Sequence, residues 1–132
     1  MHWSESYLHL GYKVGAEGPD LYDCWSFFRL IQRERFGRDV PFMPSPVSRG
    51  TTAKVMPAWA NSFGWNEVGF PEDGDAAFMA NGRVATHVGV LIGDLHERHI
   101  LHCPEGGVRF HSFLHLSMLG WEIHSYWRPG AR

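Results

Sequence analysis

The chain has 132 residues, 44% of them hydrophobic and 14% aromatic, which is one domain by size with enough apolar material for a core. A formal charge of -2, a pI near 6.5 and no Lys/Arg block longer than a pair exclude the electrostatic footprint of a nucleic-acid or anionic-membrane binder. The opening MHWSESYLHLGYKVG lacks the basic start and apolar centre of a signal peptide, and no stretch is as long as a membrane span.

The expectation is a protein made in the cytosol that reaches any other place only by being carried there. Its two cysteines, Cys24 and Cys103, are then expected as separate reduced thiols.

In chain order, residues 2–10 carry Trp3, Tyr7, Leu8 and Leu10, a short helical pattern before Gly11. From Asp23 onward, Cys24, Phe27, Phe28, Leu30, Ile31 and Phe36 keep helical spacing, with Arg29, Gln32, Arg33, Glu34 and Arg35 on the polar side. This predicts a helix over 23–36, N-capped by Asp23 and ended by Gly37. The proline-rich stretch RDVPFMPSPVSRGTT is a loop within one domain, and a second helix is predicted over roughly 50–62, interrupted or kinked by Pro57. Past GFPEDGD the texture changes to short β-rich runs: AAFMA, THVGVLIGD, HILHC, GVRF and WEIHSYWRP. Between the last two, SFLHLSMLG is a short helix closed by Gly120. Helices first and a meander of strands afterwards indicate an α+β fold with an antiparallel sheet.

Cys24 stands where the helix presents unpaired amide donors, a position whose dipole favours thiolate and lowers a pKa that starts near ~8.5. Taken alone it would be read as a buried, inert thiol; the ordered set of Tyr12, Asp23-Cys24, His87 and His102 favours the nucleophile. His87 opens a strand of small and apolar residues, and His102 lies in the next strand. A hairpin would set the two imidazoles side by side, as a base and the group that orients it. HERHILHC also offers His96, His99, His102 and Cys103 as zinc ligands, but a strand sends adjacent His102 and Cys103 to opposite faces, so no metal is expected. Cys103 is then core. His111 and His115, four apart, are expected at the surface outside any site.

These residues carry a resemblance. GYKVGAEGPDLYDCW is similar to the NlpC/P60 signature, in which a tyrosine and glycines precede an Asp-Cys that begins the main helix. PEDGDAAFM resembles the family's Gly-Asp run before a strand, THVGVLIGD its His-Val-Gly strand, and HILHC the strand with its third polar catalytic residue. The resemblance implies a papain-like cysteine peptidase, without a cofactor, that cuts amide bonds in peptidoglycan stem peptides, commonly beside γ-D-glutamate. It implies Cys24 as nucleophile, His87 as general base and acid, and His102 as the residue orienting His87. Tyr12 and the Cys24 amide are implied at the oxyanion, and Asp23 as a ligand of the substrate's amine.

Two departures stand out. Trp25-Ser26 replaces the usual Ser-Gly after the cysteine, which places Trp25 at the substrate-recognition position. LHERH widens the turn before HILHC and leaves His99 as a competitor for the role of His102. The early HW and the ending YWRPG further resemble small NlpC/P60 proteins encoded among phage tail genes, implying a stem-peptide substrate, other tail proteins as partners, and action in the virion tail or at the cell wall. The rival expectations are a structural tail component that hydrolyses nothing, and an amidase or transferase acting on a non-wall amide.

Overall fold

Asp23 decides where the first long helix begins. Its backbone is extended and its Oδ1 accepts a 2.8 Å hydrogen bond from the Ser26 amide, satisfying a donor that the first turn leaves open. The computed structural model, which describes residues 2–44, 52–93 and 97–130, places helix α1 at Cys24–Phe36. Gly37, at φ 64° in the left-handed region, stops it. The predicted limits of this helix therefore hold at both ends.

Before it, Trp3–Tyr7 forms a 3-10 helix capped by His2, and β1 (Gly11–Tyr12) pairs in parallel with β2 (Leu21–Tyr22). After it comes α2 (Val55–Ser62). The expected start of that helix at 50 lies outside the described residues, and Pro57 does not interrupt it. Proline occupies the third helical position, where an N–H would have no acceptor within the helix, and the Ala58 amide makes the first such bond, to Lys54.

The sheet is built from β3 (Asn66–Val68), β4 (Ala76–Ala80), β5 (His87–Ile92), β6 (His99–His102), β7 (Arg109–Ser112) and β8 (Glu122–Arg128), with α3 (Phe113–Met118) between the last two. Its order is β3-β8-β4-β5-β6-β7, and every pairing is antiparallel. The fold is thus α+β with a six-stranded antiparallel sheet. β4 to β7 form the expected meander, but β8 returns across the sheet to lie between β3 and β4, which sequence order alone does not predict. GVRF also shifts: Gly106 and Gly107 take positive φ in the turn, and the strand runs on through His111. No helix among the described residues is long and apolar enough to cross a membrane.

Strand alternation separates two apolar layers. Ala76, Phe78, Val88, Val90, Leu101 and Cys103 belong to the larger core with the buried face of α1; Ala77, Met79, Leu91 and Ile100 pack with Leu116 of α3. At one end of the sheet entrance is anchored by Asp75, whose carboxylate is buried and holds the Arg128 guanidinium through two bonds of 3.0 and 2.8 Å. The Gly74 carbonyl beside it accepts from the buried Gln32 amide of α1 at 2.8 Å, tying the helix to the start of β4.

Candidate active site

Cys24 is the first residue of α1, and the backbone amides of Val88 and Trp25 lie near enough to its sulfur to favour the thiolate, against the larger effect of burial. The Val88 contact brings the helix start against β5 one residue from His87. Tyr12, Cys24 and His87 all line one cavity of about 680 Å³, together with Arg109, His111 and Trp121. Residues far apart in sequence therefore open into one space, Cys24 from the first turn of α1 and His87 from the first position of β5.

Behind His87 lies His102, fully buried, with its Nδ1 2.9 Å from His87 Nε2. Register explains the meeting: Gly89 of β5 pairs with His102 of β6, so the imidazoles of His87 and His102 project from the same sheet face two positions apart. Trp121 packs on both rings, tilted over His87 at 4.6 Å and edge-on to His102 at 5.7 Å. His99 does not share this place; its ring stacks on Phe110 at 4.5 Å. Cys103 points to the other face, with its thiol against the Gly11 and Tyr22 carbonyls.

Electrostatics correct one expectation. Burial pushes the Cys24 thiol up to about 12, with the neighbouring Asp23 carboxylate adding to the rise, so the helix dipole does not hold a thiolate at rest. The reason is relative size: a helix terminus is worth at most ~2 kcal/mol in partly buried geometry, whereas full burial moves a pKa by up to ~3–5 units. Burial likewise pulls His87 down to about 3 and His102 well below its ordinary range. The resting pair is a thiol and a neutral imidazole. Burial, followed by the charges of Cys24 and Asp23, raises the Tyr12 phenol to about 12 and keeps it a proton donor.

Two expected substrate contacts are located elsewhere. Asp23 is buried, its Oδ1 accepts from the Ser26 amide, and it is not among the residues lining the cavity. Trp25 is entirely buried among Phe28, Trp59 and Trp65, with its Nε1 donating to the Pro41 carbonyl at 2.9 Å. It is a core residue because position two of α1 faces α2, whereas the cavity lies at the helix tip. His96, one of the four ligands weighed for zinc, lies outside the described residues.

The sequence reading missed His111. It is on β7, not on a helix with His115, and its Nδ1 lies 3.0 Å from His102 Nε2. The signal was present as alternation: extending GVRF by two residues places His111 opposite Ile100, on the face that carries His102. A scan of protein-family models and a search of curated proteins each find no match to this chain.

Proposed function

We propose that the protein is a papain-like cysteine hydrolase of amide bonds. Within that class we infer an NlpC/P60-type peptidase acting on peptidoglycan stem peptides, carried in a phage tail. The observation that carries the proposal is the shared opening of Tyr12, Cys24 and His87 into one cavity, with His102 bonded behind His87. A base held at one ring nitrogen by a buried partner keeps the other nitrogen free for a nucleophile.

In the proposed reaction, substrate fills the cavity and excludes water. Cys24 gives its proton to His87 Nδ1 as sulfur attacks the carbonyl. The Cys24 amide and the protonated Tyr12 phenol donate to the oxyanion. His87 then protonates the leaving amine, and water activated by the same ring hydrolyses the thioester. Arg83 and Arg109 on the cavity wall suit a substrate bearing free carboxylates, which stem peptides have.

The test is incubation of wild type and Cys24→Ala with peptidoglycan and with a soluble L-Ala-γ-D-Glu-diamino-acid muropeptide, followed by mass spectrometry. The expected result is new fragments with wild type only. Intact substrate with both, from folded protein, would reject the peptidase proposal.

A further inference from the structure

The second bond of His102 leads out of the core. His87 Nε2 meets His102 Nδ1 at 2.9 Å, and His102 Nε2 meets His111 Nδ1 at 3.0 Å, so three rings form one chain from a buried imidazole to a half-buried one on the cavity wall.

Each neutral imidazole has one N–H, and this fixes the chain as a unit. His87 can accept the thiol proton only at Nδ1, because Nε2 is engaged. Nε2 must then carry its hydrogen and donate to His102 Nδ1. His102 in turn must carry hydrogen on Nε2 and donate to His111 Nδ1. The base at one end therefore requires a neutral acceptor at the other.

We propose that His111 is the positioning residue at the outer end of this relay and bears the positive charge when His87 takes the proton of Cys24. The proposal rests on the cysteine-hydrolase assignment for its role in turnover. The S–H bond breaks with its electron pair left on sulfur, and an N–H bond forms at His87 Nδ1. The His87 Nε2 proton moves to His102 Nδ1, and the His102 Nε2 proton moves to His111 Nδ1. When His87 Nδ1 protonates the leaving amine, both shifts run backwards and the chain is neutral again.

The physical advantage is the location of the charge. His87 and His102 are almost without solvent contact, and an imidazolium there is strongly penalised. His111 reaches the cavity. The groups facing it are His102 from β6, His115 from α3 with ring centroids 6.3 Å apart, and Arg109 of its own strand, with Glu105 and Arg83 also on the cavity wall. Burial first, then His115 and Arg109, lower its pKa from 6.5, so the relay is open at neutral pH and closed by acid.

The experiment is a pH titration of uniformly nitrogen-15-labelled wild-type protein, reading each ring's tautomer by long-range proton–nitrogen NMR. The expected result is that His87, His102 and His111 all carry hydrogen on Nε2 at pH 8. Charge then appears on His111 below 6.5 while His87 and His102 switch to Nδ1–H with the same midpoint. In His111→Leu, which leaves His102 Nε2 without an acceptor on β7, the shared switch is lost. Alkylation of Cys24 by iodoacetamide at pH 7.5 falls at least about tenfold, because a general base in the wrong tautomer loses up to ~10⁴-fold. A His87 tautomer that stays fixed while His111 titrates overturns the relay, and this wild-type measurement needs no variant to fold. Since neither readout uses a peptide, an intact relay with no muropeptide cleavage would reject the substrate proposal alone.

Discussion

Gly89 of β5 is the register partner of His102 of β6, and a methyl group added to Gly89 would lie 3.2 Å from His102 Cβ and inside the Ile100 side chain. The bare Cα is what lets the strand carrying the second imidazole lie close against the strand carrying the first. Gly89→Ala is expected to cost about 1–3 kcal/mol through overpacking and to lengthen the His87–His102 bond. Urea denaturation measures the first effect, and the imidazole proton spectrum the second. Unchanged stability would mean that β6 has room to move.

Asp23 serves the helix and opposes the thiolate. Asp23→Ser keeps a side-chain acceptor for the Ser26 amide, whereas Asp23→Ala loses it at a cost of about 0.5–2 kcal/mol. Both remove the carboxylate that pushes the Cys24 thiol up, so both should make that thiol more acidic. The check is the pH dependence of Cys24 alkylation beside a thermal melt. Asp23→Ser should separate the two roles, with stability held and the alkylation profile moved to lower pH.

Stability should form a plateau bounded on both sides by buried groups. His87 and His102 titrate lower in the folded chain than their ordinary 6.5, so below that value the unfolded state binds more protons and stability falls as pH drops toward about 3. The slope is ~1.4 kcal/mol per pH unit for each histidine kept neutral. On the alkaline side Cys24 and Cys103 are raised from 9.0 to about 12, so the unfolded state loses protons first and stability falls as pH rises through that interval. Chemical denaturation at a series of pH values gives the curve. In His87→Phe the acid slope should become shallower.

Arg128 neutralises Asp75 at the head of β4, with the carboxylate buried and the guanidinium about one-third exposed. Removing the partner strands a buried charge. Arg128→Ala is therefore expected to cost about 3 kcal/mol, the lower end for a broken buried pair because water can reach part of the site. Asp75→Asn, which removes the charge and retains an oxygen for the Glu72 amide, should cost less. Paired urea melts decide the order.

Much of this protein is legible in its amino-acid order because the signals are local. Asp23 and Gly37 mark the ends of α1 by capping and by left-handed geometry, and alternation marks β4, β5 and β6. The pairing of His87 with His102 also follows from strands that are consecutive in the chain, because the antiparallel register carries both rings to one face. β1, β2 and β3 escape such a reading, since two or three residues hold no period.

What only the tertiary structure decided are the relations that cross the fold. β8 enters between β3 and β4, Trp25 turns into an aromatic core, and Cys24 comes to share a cavity with His87. His111 joins His102 through a third strand whose start depends on where a glycine turn ends. The thiol's charge state belongs with these. A sequence shows the helix terminus that favours a thiolate, but the packing of α1 against the sheet sets how completely water is removed, and here desolvation outweighs the dipole.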